Sequence, residues 1–150
     1  MTLEAIKAAI PHREPFLLLD EIVERDEKRI VCRKTFTGDE FWYAGHYPDF
    51  PLTPGVILCE AAMQAGAVLL ASFVDGQSDK VPVATRIQDA RFKQMVRPGD
   101  TIQLEVEITE RVSSAFFLAA KVTVEGKLAA RLDFACTLAP VPSEVERGLS

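Results

Sequence analysis

The stretch FWYAGHYPDFPLTPGVILCEAAMQAGAVLLASF, residues 41–73, decides the fold because it joins a proline-rich loop to a long apolar segment. Three prolines in the first half are each three residues from the next, and each fixes φ and lacks a backbone donor. Residues 47–54 are therefore predicted to form a loop of fixed shape rather than a helix or a central strand. Residues 56–73 contain a single charge, Glu60, which predicts a helix that is apolar on nearly every side and must be buried.

Shorter segments on both sides of this stretch have the character of β-strands. They are apolar runs, alternate between apolar and polar residues, or are rich in β-branched residues. Turn signals separate them, the clearest being Pro98-Gly99-Asp100 and Glu125-Gly126. The predicted strands cover residues 16–24, 29–37, 81–96 (as one strand or two), 101–109, 115–124 and 127–138. A short helix is expected at residues 3–9, a break at 75–79 and a loose tail from 140.

The order of these elements predicts an α+β fold. One antiparallel sheet should wrap around the single long helix, because a helix that is apolar on all sides needs cover from more than one direction. The 150 residues fit one domain, and no internal repeat suggests a second. A symmetric dimer would cover both the sheet edges and the rest of the helix.

Composition argues against several classes of protein. The net charge of −5 argues against nucleic acid and against an anionic membrane surface as partners. The three cysteines have no metal-like spacing, which predicts buried reduced thiols and a cytosolic setting. The N-terminus contains an early acid and does not resemble a signal peptide. The long apolar segment is interrupted by Glu60, Gln64 and Gly66, so we expect a core helix rather than a membrane span.

Two side chains with acid–base chemistry lie on either side of the helix start. A carboxylate such as Glu60 in an apolar helix needs partners or stays protonated, and a protonated one can donate a proton. Gln64 is four residues further on, on the same helix face, and is placed to hydrogen-bond it. His46 lies in the stiff loop upstream, and the free N–H groups at Gly55 are placed to hold a carbonyl oxygen as charge builds on it. A solvent-facing acid and a structural histidine are the alternatives.

Three blocks of sequence carry a family resemblance. Residues 45–64 read GHYPDFPLTPGVILCEAAMQ, residues 10–22 read IPHREPFLLLDEI, and residues 90–108 read ARFKQMVRPGDTIQLEVEI. They resemble GHFPxxPxxPGVLxxEAxxQ, IPHRYPFLLVDRV and ARFKRPVVPGDQLxLxVxV of the FabZ-type β-hydroxyacyl-acyl-carrier-protein dehydratases. The order and spacing agree from about residue 10 to residue 138.

The resemblance implies a hotdog fold, with dimers often assembled as a trimer of dimers and active sites at the dimer interface. It implies removal of water from a (3R)-hydroxyacyl chain on acyl carrier protein, in fatty acid biosynthesis, to leave a trans-2-enoyl thioester without a metal or organic cofactor. The catalytic histidine maps onto His46 and the catalytic glutamate onto Glu60, which would reach the site from the opposite subunit. The N–H that holds the thioester carbonyl maps onto Gly55.

Other positions receive less specific expectations. His12 is expected to be a structural loop residue. A basic rim for the acidic carrier protein and an ordinary solvated strand face explain Arg91, Lys93 and Arg97 equally well. The expected substrate-binding residues are Tyr47, Phe50, Gly55, Val56 and Gln64.

The sequence departs from the family pattern at a few positions, which bear on the acyl length accepted and on the shape of the entrance. These positions are Glu14, Trp42, Tyr43, Asp49 and Thr53.

Two other functions stay open. A hotdog acyl thioesterase would share the fold and the helix carboxylate, but hydrolysis gives no reason for the Gly-His-Tyr-Pro loop. A non-catalytic acyl-binding subunit would not need His46 and Glu60.

Overall fold

The computed structural model describes residues 2–74 and 80–140. The chain forms, in order, helix α1 (Leu3–Ala9), strands β1 (Glu21–Arg25) and β2 (Arg29–Thr35), helix α2 (Gly55–Leu70) with a 3₁₀ turn (Ala71–Phe73), and strands β3 (Lys80–Phe92), β4 (Thr101–Val112), β5 (Ala115–Val124) and β6 (Lys127–Pro140). The strands make one six-stranded sheet in the order β1-β2-β4-β5-β6-β3, and each neighbouring pair is antiparallel. The predicted architecture of an antiparallel sheet and one central helix is confirmed.

Helix α2 supplies the core against which the sheet packs. Its side chains Leu58, Val68 and Leu69 are buried, and they meet inward-facing residues of the sheet such as Ile102 and Leu104. The alternation predicted for β4 is confirmed, since its inward-facing positions from Ile102 to Ile108 are buried or partly buried, whereas Gln103 and Glu107 between them are exposed. The segment Gly55–Phe73 is long and apolar enough to cross a membrane by length and composition alone, yet most of it is buried inside the protein.

Close approach of the sheet to α2 depends on Gly66. A Cβ built at this glycine would lie 2.7 Å from Cζ of Phe134 and 3.4 Å from Cδ2 of Leu118. Both neighbours are buried side chains of the sheet, so neither ring nor methyl group can move far. The missing side chain at Gly66 therefore sets the distance between helix and sheet at this point.

The first predicted strand is wrong in its N-terminal part. Residues 16–19 do not pair in the sheet, and β1 begins only at Glu21. The backbone turns here instead, because the amides of Phe16 and Leu17 both donate to the carbonyl of Arg13. The amide of Leu18 donates to the Oε1 atom of Gln64 on α2, 2.8 Å away. A side chain from the helix thus takes the place of a neighbouring strand.

The helix predicted at 3–9 and the strand predicted at 115–124 are found with these bounds, and the remaining elements have shifted ends. β3 stops at Phe92 rather than at residue 96, and β4 continues to Val112. The hairpin turn between β5 and β6 is confirmed, with positive φ at Glu125 (49°) and Gly126 (78°), as a two-residue turn of this kind requires. The predicted break at 75–79 and the tail beyond 140 lie outside the described residues.

The three cysteines are free and buried, as predicted. Burial raises the pKa of the Cys32 thiol to about 12 and that of the Cys136 thiol to about 11, and it also raises the pKa of Cys59. At neutral pH all three are therefore thiols rather than reactive thiolates.

Replacement of Gly66 by alanine should destabilise the protein although alanine favours helices. Helix propensity alone would add about 1 kcal/mol, whereas overpacking against Phe134 costs about 1–3 kcal/mol. We expect a lower urea midpoint for Gly66→Ala. Gly45→Ala is the matched control, since its added methyl group meets no atom within 4 Å. A Gly66→Ala variant more stable than the wild type would contradict the close approach of helix and sheet.

Candidate active site

The loop that precedes α2 holds His46 in one orientation. The Nδ1 atom of His46 lies 2.9 Å from the carbonyl oxygen of Leu52. Since a carbonyl only accepts, Nδ1 must carry a hydrogen, so in the neutral ring the lone pair is on Nε2. The ring of Tyr47 stands edge-on to the imidazole, with 4.8 Å between centroids. His46 is therefore a half-buried imidazole whose open nitrogen can accept a proton.

The same loop is anchored on its inner side by two hydroxyl groups. The Tyr43 hydroxyl and Thr53 Oγ1 are 2.6 Å apart, and both residues are buried. The amide of Thr53 donates to the carbonyl of Val96 at 2.8 Å, which ties the loop to the chain entering β4. Burial raises the pKa of Tyr43, so its phenol keeps its proton. The departures from the family pattern at positions 43 and 53 thus form one hydrogen-bonded pair.

A cavity of about 700 Å³ opens beside the start of α2. It is mostly apolar and includes Gly55, where the first amides of the helix have no intrahelical partner. A Cβ built at Gly55 would lie 2.8 Å from the ring of Phe92, so a larger residue here would displace this ring from its present position. The residues lining the cavity include Leu52, Thr53, Gly55, Val56, Phe92 and Met95.

Glu60 lies in a second, smaller cavity of about 320 Å³. Its side chain is 24% exposed, so neither full burial nor a solvent-facing acid describes it. The Nε2 atom of Gln64 donates to Oε2 of Glu60 at 3.0 Å, which confirms the hydrogen bond predicted from the spacing. The Nε2 atom of His12 lies 3.8 Å from the same oxygen.

Gln64 joins Glu60 to the N-terminal loop. This amide is 1% exposed, and besides Glu60 it bonds the carbonyl of Phe16 at 2.8 Å and the amide of Leu18 at 2.8 Å. The buried side chain therefore uses both its donor and its acceptor groups. The position of Glu60 is fixed through the same residue that holds the loop in place.

Within one protomer the predicted catalytic residues are not brought together. His46 contacts Leu52 and Tyr47, whereas Glu60 contacts Gln64 and His12, and no hydrogen bond or ion pair in the described chain joins the two. Helical geometry explains the separation on α2, because five residues place Gly55 and Glu60 about 140° apart around the helix axis.

The expected substrate-binding residues are divided between three places. Gly55 and Val56 line the first cavity, and Gln64 lines the second. Tyr47 and Phe50 project from the loop and are exposed.

The three expected rim residues are all exposed. Lys93 lines the first cavity, and the Arg97 guanidinium lies 4.6 Å from the ring centroid of Phe50. No group of three or more potential metal ligands occurs among the residues that the structure describes.

Sequence reasoning did not find the contact of His12 with Glu60. The two are 48 residues apart and no spacing rule relates them, so the pairing depends entirely on how the N-terminal loop lies along α2. The resemblance of residues 10–22 to the family pattern was the one sequence signal that this loop belongs to the candidate site.

Comparison with known proteins identifies the family. The profile described as the FabA-like domain matches residues 10–133. The chain belongs to this family. It is 43% identical over 129 residues to a 3-hydroxyacyl-(acyl-carrier-protein) dehydratase FabZ of Clostridium perfringens, covering 86% of this chain and 92% of that protein. The FabZ of Staphylococcus haemolyticus is 45% identical over 125 residues (83% and 86%), and that of Solibacter usitatus is 39% identical over 139 residues (93% and 86%).

Solved structures identify the fold. The dehydratase heterocomplex ApeI:P from Xenorhabdus doucetiae superposes with a TM-score of 0.74 at 14% identity, covering 96% of this chain and 95% of that chain. A hypothetical thioesterase with coenzyme A from Streptococcus pneumoniae TIGR4 gives 0.64 at 12% identity (82% and 88%). At these identities the likeness concerns the fold alone, and it confirms the expected hotdog fold.

Replacement of Gln64 by leucine should cost far more stability than loss of one surface contact. The amide of Leu18 and the carbonyl of Phe16 would both be left without their partner, a loss of about 2–4 kcal/mol in the free energy of unfolding. Urea denaturation measures it. Glu60→Gln is the matched control, because this residue is partly exposed and keeps an acceptor for Gln64. Equal stabilities of the two variants would show that Gln64 does not anchor the loop.

Proposed function

We propose that this protein removes water from a (3R)-hydroxyacyl chain carried by acyl carrier protein, in fatty acid biosynthesis, and leaves a trans-2-enoyl thioester. The family supports this reaction, and one geometric observation supports the assignment of the base. In the neutral ring, the hydrogen bond from Nδ1 of His46 to the Leu52 carbonyl leaves the lone pair on Nε2. A general base of this kind is what abstraction of the proton beside a thioester requires.

The start of α2 is proposed to stabilise the charge that develops on the thioester oxygen. When His46 takes the proton from the carbon next to the thioester, negative charge builds on the carbonyl oxygen. The free amide of Gly55 at the helix N-terminus is suited to hold it. The apolar cavity beside Gly55 is suited to the acyl chain. The thioester itself acidifies the proton, so the proposal needs no cofactor or metal.

Glu60 is proposed to act as the general acid, from the opposite subunit of a homodimer. It would give its proton to the departing hydroxyl group, which leaves as water. Glu60 lines the second cavity, whereas His46 contacts Leu52 at the first, and this separation supports a site completed by a second copy. The edge strand β3 also supports a dimer, since Val83, Ile87 and Phe92 on it are large apolar side chains with 44–52% exposure. A trimer of such dimers remains the expectation from the family resemblance.

The proposed partner is acyl carrier protein, an acidic protein, and the proposed docking surface is the basic rim of Arg91, Lys93 and Arg97. All three are exposed, and Lys93 lies at the cavity that would receive the acyl chain. The three free, buried thiols are in keeping with a proposed cytoplasmic location.

The catalytic roles are tested by following enoyl absorbance with a 3-hydroxyacyl-acyl-carrier-protein substrate. We expect His46→Ala and Glu60→Gln each to lower kcat by about 10²–10⁴-fold, because each removes one proton-transfer group. Both variants should remain folded by circular dichroism. Release of free thiol without enoyl product would instead identify a thioesterase, and no turnover of any thioester would favour a non-catalytic acyl-binding subunit.

Mixing the two inactive variants tests the shared site. In a hybrid dimer of His46→Ala and Glu60→Gln, one site lacks both groups and the other keeps both. After subunit exchange we expect recovery of roughly one quarter of wild-type activity, since half of the dimers are hybrids and each has one intact site. Absence of recovery, despite exchange demonstrated by mass spectrometry, would place both residues in the same subunit's site.

Charge reversal tests the docking surface. Lys93→Glu should raise KM for the carrier-protein substrate by roughly 3- to 10-fold, with little change for the same acyl group on a small pantetheine thioester. Lys28→Glu, an exposed lysine in the turn between β1 and β2 at the other edge of the sheet, is the control. An equal rise for both variants would mean that net charge, rather than this surface, matters.

A further inference from the structure

We infer that His12 is a positioning residue, which donates a hydrogen bond from Nε2 to the Oε2 atom of Glu60 and thereby keeps the transferable proton on Oε1. The inference rests on the proposed function, in which Glu60 is the general acid. It gives a role in the reaction to a histidine that the sequence marked as structural.

Contacts of the loop hold both the His12 ring and the chain beside it in place. The guanidinium of Arg13 donates to the carbonyls of Lys7 and Ile10, both at 2.9 Å, so the chain beside His12 is tied to the end of α1. The ring of His12 is stacked on Phe16, with 6.3 Å between centroids and 16° between planes. Gln64 in turn bonds the carbonyl of Phe16. His12 is therefore fixed relative to the helix that carries Glu60.

The surroundings of the His12 ring select one tautomer. The Nδ1 atom is buried and has no hydrogen-bond partner in the described chain, whereas Nε2 faces Glu60. A hydrogen on Nδ1 would be a buried donor without an acceptor, in the neutral ring as well as in the imidazolium. The tautomer that avoids this cost carries its hydrogen on Nε2, directed at Glu60. At 3.8 Å the contact is too long for a hydrogen bond and would shorten in the assembled site.

Two N–H donors then converge on one carboxyl oxygen. Gln64 already donates to Oε2 of Glu60 at 3.0 Å, and His12 approaches the same atom. A protonated carboxyl group has one accepting carbonyl oxygen and one hydroxyl oxygen. Donation to Oε2 makes it the carbonyl oxygen, so the proton is carried by Oε1. That proton passes to the leaving hydroxyl to form water, while the substrate's proton goes to Nε2 of His46.

The contribution of His12 should be larger in the transition state than before it. As Oε1 loses its proton, Glu60 becomes a carboxylate, and hydrogen bonds to a charged acceptor are stronger than those to a neutral one. An interaction that strengthens during the reaction raises kcat without tightening substrate binding. The other titratable group lining this cavity is Cys136, whose pKa burial raises to about 11, so it is uncharged and does not compete for Glu60.

Two replacements of His12 separate its N–H group from its packing. His12→Phe keeps a ring against Phe16 but has no donor, and we expect kcat to fall about 10- to 100-fold with KM unchanged, the range for loss of a hydrogen bond to a charged group. His12→Gln keeps a neutral N–H of similar reach and should recover most of this loss. Glu4→Gln, at an exposed residue of α1 outside this loop, should behave as the wild type.

A double-mutant cycle decides whether His12 acts through Glu60. In a Glu60→Gln background, His12→Phe should have no further effect on the residual rate, and an undiminished effect would overturn the inference. Equal kcat for His12→Phe and the wild type would overturn it too. If His12→Phe does not fold, His12→Asn, whose amide is too short to reach Glu60, replaces it in the same comparison. An inactive wild-type enzyme would instead contradict the proposed function itself.

Discussion

The structure depends on the buried amide of Gln64. Its oxygen accepts from Leu18, and its nitrogen donates to Phe16 and Glu60, so one side chain joins the N-terminal loop, the central helix and the proposed acid. A buried amide with all its partners is stabilising, whereas one with a missing partner is costly. The arrangement is therefore nearly all-or-none: when the loop is in place, Glu60 is oriented as well.

Much of the fold could be predicted because its signals are local. The apolar segment with one charge predicts the helix. The alternation in β4 and the Glu125-Gly126 turn predict the hairpin strands. The apolar run at residues 16–19 predicts a strand, but such a short run can be buried equally well in a strand or in a loop. What decides their conformation is a hydrogen bond to Gln64, far along the chain, and no local pattern contains that information.

In the candidate site, too, local contacts could be predicted from the sequence and contacts between distant residues could not. The spacing of Glu60 and Gln64 predicted their hydrogen bond, because residues four apart on a helix share a face. The partner of His46 is a backbone carbonyl, which has no signature in the sequence, and the approach of His12 to Glu60 spans 48 residues. The polar pair of Tyr43 and Thr53 is likewise visible only once the loop is folded, since the two are ten positions apart in irregular chain.

The main-chain contact of His46 has a consequence for how this site tolerates sequence change. An imidazole that is oriented by a hydrogen bond to a carboxylate loses this acceptor when that one side chain is replaced. Here the acceptor is the carbonyl of Leu52, which every amino acid at that position would supply equally. The orientation of His46 thus depends on the backbone conformation of the loop, which its prolines fix. Substitution of the Leu52 side chain would leave this hydrogen bond in place.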